Sequence, residues 1–198
     1  ELVAALKKAS QISPDFTEAA AFRHFFLGFK LNKIDQRECI EEYQKAAERC
    51  PDIPVFFSNL GLALLHAKDF RNSETALKRA IALSPHLFLA HNNLSVLYIT
   101  IKKFSDGLAE ADESIKYAFT DQRQALAYGN RGAALLGLKK NKEAVASLKR
   151  AVALAPNEPL YAKELEAAQF LLSPWSTLFG ALCGLLAIAL LIWWHFIR

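Results

Sequence analysis

The chain has 198 residues, of which 53% are hydrophobic, and it carries 24 Lys and Arg against 20 Asp and Glu. Its formal net charge of +4 is too small to indicate a nucleic-acid partner, because recognition of DNA or RNA relies on a dense cluster of positive charge. The three cysteines are too few and too far apart for a disulfide framework, which favours a reducing compartment.

A repeated segment is the clearest pattern in the sequence. ALKRAIALSP at 76–85 returns as SLKRAVALAP at 147–156, and the closing prolines Pro85 and Pro156 have a counterpart upstream in Pro51. Pro51 and Pro85 are 34 residues apart, and Pro156 follows after two further units of 34 plus three residues. A period of 34 is typical of an array of helical hairpins.

Two units carry large apolar and small residues at equivalent positions. In 54–87 they are Phe57, Leu60, Gly61, Leu64, Phe70, Leu77, Ala80 and Pro85; in 125–158 they are Tyr128, Gly132, Leu135, Ala144, Leu148, Ala151 and Pro156. Both units resemble the tetratricopeptide repeat family. The resemblance implies an all-α solenoid of helical hairpins that binds proteins and catalyses no reaction. We expect the small residues, such as Gly61 and Ala80, to lie where two helices approach closely.

The repeat register divides the chain into repeats and flanking segments. Residues 1–15 resemble the second helix of an incomplete repeat, and residues 16–158 hold about four repeats. In chain order these repeats are 16–53, 54–87, 88–124 and 125–158. The repeat 88–124 is three residues longer than its neighbour, so that either its second helix runs on or its loop bulges.

Residues 159–173 are predicted to form a capping helix and a linker, because the last hairpin of a solenoid needs a cover for its outer face. The helix begins at Asn157 or Pro159. Its predicted buried stripe is Leu160, Leu165, Ala168 and Leu172. Ser173 and Pro174 then end it.

The C-terminal segment 174–198 is predicted to be a membrane anchor. Its portion 178–197 contains no Asp, Glu, Lys or Arg and has 20 residues, which as a helix is about 30 Å long, the thickness of a hydrocarbon core. Trp175 lies at one end, with Trp193 and Trp194 at the other, as expected for rings that prefer the two interfaces. The alternative is a buried hydrophobic hairpin of a globular domain.

Two glycines mark one face of the predicted single-pass span. Gly180 and Gly184 are four residues apart and form a small-residue face that is suited to packing against another membrane helix. The one-residue tail, Arg198, implies insertion after translation, which in tail-anchored proteins leaves the N-terminal domain in the cytosol. We therefore expect a cytosolic repeat domain on an organelle membrane, such as the mitochondrial outer membrane.

The first helices of successive hairpins should line a concave groove. The predicted groove residues are Asn59, Leu62, Asn92, Asn93, Val96, Asn130 and Ala133. Asn59, Asn93 and Asn130 fall at the same position of three successive units. This pattern resembles the asparagine ladders of tetratricopeptide domains that hold the backbone of an extended peptide, since each amide both donates and accepts hydrogen bonds. The alternative is that these asparagines serve only the packing between hairpins.

Lysines recur in the predicted turns within the hairpins. They are Lys33, Lys68, Lys102, Lys103, Lys139 and Lys140. Because a solenoid brings equivalent turns to one edge, this edge should be positive and suited to an anionic lipid surface or an acidic partner. The alternative is that the lysines only complement the C-terminal ends of the first helices.

The sequence shows no motif for catalysis or for a cofactor. It has no glycine-rich phosphate loop, no His-Glu-x-x-His and no Cys/His set with metal-ligand spacing. We expect no enzyme activity, no cofactor, no metal and no small-molecule substrate, and we expect a protein partner held in the groove as an extended peptide or a helix.

Two functions remain open for such a chain. The first is a structural or assembly subunit of a larger membrane complex, in which the solenoid and the span both dock. The alternative is a tail-anchored recruitment receptor that binds peptides in the groove. Its layout would be similar to that of the plant mitochondrial import receptor and of the mitochondrial fission adaptor.

Overall fold

The computed structural model describes residues 17–31 and 35–173, and in this part of the chain all regular structure is helical. The helices are α1 (Thr17–Leu31), α2 (Gln36–Arg49), α3 (Pro54–His66), α4 (Phe70–Leu83), α5 (Phe88–Thr100), α6 (Phe104–Lys116), α7 (Asp121–Gly137), α8 (Asn141–Leu154) and α9 (Pro159–Leu172). The all-α class expected from the repeat is confirmed.

Consecutive helices form a stack of hairpins. The closest packing joins α1 with α2, α3 with α4, α5 with α6 and α7 with α8, and each second helix also contacts the first helix of the next pair. The helices α3, α5 and α7 also contact one another in sequence, so that they lie side by side and form one face. This arrangement is a solenoid, and α9 packs on α8 at its end.

Local residues explain where several helices begin. Asp35 Oδ1 accepts hydrogen bonds from two backbone N–H groups in the first turn of α2, at 2.9 and 3.0 Å. Thr120 Oγ1 accepts one from the backbone N–H of Arg123, at 3.3 Å. Pro54 and Pro159 stand at the first positions of α3 and α9, where proline loses no helical hydrogen bond.

Small residues lie where the helices of a hairpin approach closely, as predicted. A Cβ atom on Gly61 would lie 2.5 Å from Cγ of Leu77, and one on Gly132 would lie 2.6 Å from Cγ of Leu148. Ser73 Oγ also donates a hydrogen bond of 2.7 Å to the carbonyl oxygen of Gly61. In these two hairpins a leucine of the second helix therefore occupies the space left by a glycine of the first.

The hairpin of α5 and α6, which we call the middle hairpin, packs its two helices with a different pair of residues. Ser95 and Ala111 stand 34 residues after Gly61 and Leu77, and both are fully buried at 0% exposure. Ser95 Oγ donates a hydrogen bond of 2.7 Å to the carbonyl oxygen of Gly107. A larger residue in the first helix is thus matched by a smaller one in the second.

The three extra residues of 88–124 extend the following helix. The helix α6 ends at Lys116, and four residues separate it from Asp121, which begins α7, so the loop does not bulge and α6 does not run on. The helix α7 instead has 17 residues against 13 in α3 and in α5. Capping by Thr120 fixes this early start.

The buried face of α9 differs from the predicted one. Tyr161 and Ala168 are buried, whereas Leu160 is 54% and Leu172 is 44% exposed, so the prediction for these two leucines is wrong. The reason is the absence of a side chain at Gly129 of α7, where a Cβ atom would lie 2.5 Å from Cε1 of Tyr161. The tyrosine ring fills this space and sets the rotation of α9.

No helix within residues 17–31 and 35–173 has both the length and the apolar character needed to cross a bilayer. The predicted anchor 174–198 lies outside the described residues, and so does the partial repeat 1–15. The anchor carries the predicted interface and packing residues Trp175, Trp193, Trp194, Gly180 and Gly184.

Candidate functional site

The predicted groove residues lie on the adjacent first helices α3, α5 and α7. Their exposure differs. Asn92 and Asn93 are buried, at 8% and 7% exposure. The others are partly exposed, namely Asn59, Leu62, Val96, Asn130 and Ala133.

The amide nitrogens of the three register-equivalent asparagines all donate within the solenoid. Asn93 Nδ2 lies 3.4 Å from both the carbonyl oxygen and Oγ of Ser58, which links α5 to α3. Asn59 Nδ2 donates to the carbonyl oxygen of Val55 in its own helix, at 2.9 Å. Asn130 Nδ2 donates to Oδ1 of Asn92, at 2.9 Å, which links α7 to α5.

The carbonyl oxygens of these asparagines have a different role. Among the described residues, no hydrogen bond is donated to Oδ1 of Asn59, Asn93 or Asn130. The side chains of Asn59 and Asn130 are partly exposed, whereas Asn93 is buried at 7% exposure, so the oxygens of Asn59 and Asn130 are the more accessible acceptors. The groove therefore presents a row of acceptors, which suits the backbone N–H groups of an extended chain.

Apolar side chains lie beside these acceptors. Leu62 and Val96 are partly exposed and pack on the buried cluster of α3, α4 and α5, while Leu126 of α7 is 40% exposed. Neither α3 nor α5 contains Lys or Arg. The groove can therefore bury apolar side chains of a ligand and accept its backbone N–H groups, but these two helices provide no Lys or Arg to pair with a carboxylate.

A family model for the tetratricopeptide repeat matches residues 125–158, which hold most of α7 and all of α8. Solved structures share the stacked-hairpin architecture. The chain has the fold of a tetratricopeptide-repeat solenoid.

Three solved structures illustrate the likeness. PilF of Pseudomonas aeruginosa is 17% identical over 78% of this chain and 69% of its own, with a TM-score of 0.72. A chain of the APC/C hetero-tetramer Cut9–Hcn1 is 16% identical over 84% of this chain and 39% of its own, with a TM-score of 0.68. YrrB, a tetratricopeptide-repeat protein with an unusual peptide-binding site, is 18% identical over 81% and 80%, with a TM-score of 0.61.

At such identities the likeness shows the fold alone. No curated protein matches the chain by sequence.

The tetratricopeptide-repeat solenoid also has an apolar cavity that the sequence did not predict. It has a volume of about 580 Å³ and lies between α2 and α4, with Phe57, Leu60 and Leu64 of α3 among its lining residues. The guanidinium of Arg79, which also lines the cavity, lies 5.9 Å from the centre of the Phe57 ring. The repeat pattern marks these three α3 residues as core positions, and such a pattern does not show that a cavity lies beside them.

His91 forms the most buried ionisable contact of the middle hairpin. Its Nδ1 lies 2.7 Å from Oε2 of Glu110, and its Nε2 lies 2.9 Å from the carbonyl oxygen of Pro85. Both neighbours are acceptors, so both ring nitrogens donate only when the imidazole is protonated. The hydrogen bond to Glu110 accordingly raises the pKa of His91 above its ordinary value of 6.5, despite the opposing effect of burial.

This contact makes the stability of the solenoid depend on pH. The folded state binds the His91 proton more tightly than the unfolded chain, so its contribution to the free energy of unfolding is full below pH 6.5 and is lost as the pH rises through the raised pKa. Urea denaturation between pH 6 and pH 9 should therefore show stability falling with pH. Both His91→Gln and Glu110→Gln should flatten this fall, and an unchanged slope in both variants would contradict the assignment.

Proposed function

We propose that this chain is a non-enzymatic, membrane-anchored scaffold that binds a protein partner along the face formed by α3, α5 and α7. In this proposal residues 174–198 are the anchor, and the chain is a structural or assembly subunit of a larger membrane complex. The repeats face the cytosol, on an organelle membrane such as the mitochondrial outer membrane. The partner lies in the groove as an extended peptide or a helix.

The row of carbonyl oxygens on Asn59, Asn93 and Asn130, to which no hydrogen bond is donated within the described residues, carries the proposal. Three acceptors at equivalent positions of three successive hairpins, flanked by partly exposed apolar side chains, suit an elongated ligand such as a polypeptide backbone better than a compact small molecule. Tetratricopeptide-repeat proteins generally mediate protein–protein interactions. Among the structural neighbours, YrrB has a peptide-binding site and Cut9–Hcn1 is a hetero-tetramer.

A recruitment receptor is the second candidate. The acceptors would bind backbone atoms and would therefore select little among side chains, which suits a receptor with clients of varied sequence. The absence of Lys and Arg from α3 and α5 disfavours clients that dock through a terminal carboxylate.

Purification of the full chain in a gentle detergent, followed by native gel electrophoresis and mass spectrometry, tests both candidates. The groove variant is Asn59→Ala with Asn130→Ala, which deletes two acceptors and places alanine, the best helix former, within two helices. Asn72→Ala with Asn141→Ala changes two asparagines outside the groove, on the second helices α4 and α8, and is the matched control. A further variant replaces 174–198 with an unrelated membrane span.

The outcomes separate the candidates. A stoichiometric assembly that is lost in the groove variant and in the span variant, but kept in the control, supports a subunit. Varied soluble clients that survive replacement of the span but are lost in the groove variant indicate a receptor. A partner that all variants retain would contradict binding in the groove.

A further inference from the structure

The two edges of the solenoid differ in charge. The turns within the hairpins, at 67–69, 101–103 and 138–140, carry the exposed lysines Lys68, Lys102, Lys103, Lys139 and Lys140. The loops between hairpins, at 50–53, 84–87, 117–120 and 155–158, contain no Lys or Arg. We name the first set of turns, with these five lysines, the lysine edge.

Local backbone physics disfavours lysine at these positions. Lys68, Lys102 and Lys139 have φ values of 62°, 60° and 60°, in the left-handed region where glycine is normal at the end of a helix. Lys103 and Lys140 are the N-caps of α6 and α8 and make no capping hydrogen bond through their side chains. A positive charge there also opposes the positive end of the helix dipole.

One of these turns has a residue that does cap the following helix. Asp69 occupies the N-cap of α4, and its side chain accepts a hydrogen bond from the backbone N–H of Asn72 at 3.2 Å. The Lys-Lys pairs at 102–103 and 139–140 therefore stand where a glycine and a capping residue would stabilise the turn. The same replacement occurs in two successive hairpins. Such repeated conflicts between local stability and sequence are expected where a surface serves a function.

The lysine edge stays positive in the folded chain. The acidic residues in the turns and in the first turns of α4, α6 and α8 are Asp69, Asp106 and Glu143, and the ion pair between Lys140 and Glu143 is long, at 3.8 Å, and exposed. Among the described residues, Lys68, Lys102 and Lys139 form no ion pair.

The course of α9 relates this edge to the C-terminal segment. Tyr161, in the first turn of α9, packs against Ala125 and Gly129 in the first half of α7. The two helices therefore start at the same edge of the solenoid and end at the other. Leu172 accordingly lies at the edge that holds the turn 138–140.

Exposed apolar side chains accompany the lysines there. Phe170 is 51% and Leu172 is 44% exposed in the last turn of α9. Lysines beside exposed Phe and Leu are typical of a surface that rests on a lipid interface. The sequence-predicted span begins at 178, and the linker 173–177 reaches roughly 17 Å even when fully extended.

We propose that the lysine edge docks on the anionic headgroups of the membrane that holds the chain. The proposal rests on the membrane anchor of the proposed function and adds an orientation, with the turns toward the bilayer and the loops between hairpins away from it. Lipid is favoured over an acidic protein because Phe170 and Leu172 share the edge with the lysines.

Lysine footprinting of the full chain in vesicles tests the docking. The vesicles are phosphatidylcholine alone, or phosphatidylcholine mixed with phosphatidylserine, and an amine-acetylating reagent is read out by mass spectrometry. Acetylation of the lysine edge should fall by roughly fivefold with phosphatidylserine, which corresponds to about 1 kcal/mol per lysine. Lys149 and Lys163, which are exposed away from this edge, should not change, and high salt should remove the difference.

A four-residue variant separates docking from folding. Lys102→Gly, Lys103→Asp, Lys139→Gly and Lys140→Asp together copy the residues that left-handed and N-cap positions prefer. The melting temperature should rise by about 5 °C or more, while the protection of Lys68 by phosphatidylserine should disappear. The control Lys149→Asp with Arg150→Asp, at exposed sites on α8, should keep that protection.

The result that overturns the docking differs from the one that overturns the anchor. If the chain resists extraction from the vesicles at alkaline pH but its lysine edge is equally acetylated in both lipids, the docking is wrong and the anchor stands. If the four-residue variant keeps the protection of Lys68, the docking is also wrong. If alkaline extraction releases the chain, the anchor fails and the docking that rests on it fails too.

Discussion

Leu97→Ala should lower the free energy of unfolding by about 2–5 kcal/mol, the usual range for a buried leucine that leaves a cavity. Leu97 is 0% exposed and belongs to a cluster with Leu65 of α3, Leu77 of α4 and Leu94 of α5. The cluster therefore joins two successive hairpins, and the cavity would open at their interface.

The position of Leu97 in the stack adds a second expected effect. A solenoid is held together by contacts between nearest neighbours, so weakening a central interface should also uncouple the hairpins on either side. Urea denaturation followed by circular dichroism should show a broader transition at lower urea. Leu160→Ala, at a site that is 54% exposed, is the control and should change the stability by less than about 1 kcal/mol. Equal effects of the two variants would contradict the cluster as the link between hairpins.

The hairpins could be predicted because their requirements are local and recur. Pro51 and Pro85 set the period, and Gly61 and Gly132 stand where any Cβ atom would collide with a leucine of the paired helix. A residue type that sterics demand at a fixed interval is visible in one sequence. The start of α9 at Pro159 is one of the two starts that the sequence predicts.

The contacts between hairpins could not be predicted in the same way. Asn93 lies on the helix Phe88–Thr100, but its bond to Ser58 spans 35 positions and depends on the angle between two hairpins. Leu160 and Tyr161 are adjacent apolar residues of α9, and the sequence pattern does not decide which of them packs inward. Tyr161 packs inward because its ring fills the space over Gly129, and that space is defined only once α7 and α9 have packed together.

The strained lysines are another feature that only the structure shows. Glycine in a sequence predicts a left-handed residue at a helix end, whereas lysine does not. From the sequence, Lys68, Lys102 and Lys139 therefore predict a positive edge but not a strained backbone. Their positive φ values show that lysine at these positions destabilises the turn while it adds positive charge to the surface. Substitutions that remove these lysines should therefore remove the charge of this edge without destabilising the fold.

Ala111→Leu should lower the free energy of unfolding by about 1–3 kcal/mol, since it overpacks a fully buried site of the middle hairpin. Ser95→Gly should also destabilise, by about 2 kcal/mol, because it removes the buried hydrogen bond to the carbonyl oxygen of Gly107 and introduces glycine into a helix. The double variant copies the pairing of Gly61 with Leu77. We therefore expect it to be more stable than the sum of the two changes predicts, by about 2 kcal/mol.

A double-mutant cycle with a matched control checks that the coupling comes from shape. Ser95→Ala removes the same hydrogen bond but keeps the Cβ atom that blocks a leucine at position 111. Combining Ser95→Ala with Ala111→Leu should therefore bring no recovery, whereas Ser95→Gly with Ala111→Leu should. Equal recovery in both combinations would show that the hydrogen bond, and not the space left by glycine, determines which residue pairs the hairpins accept.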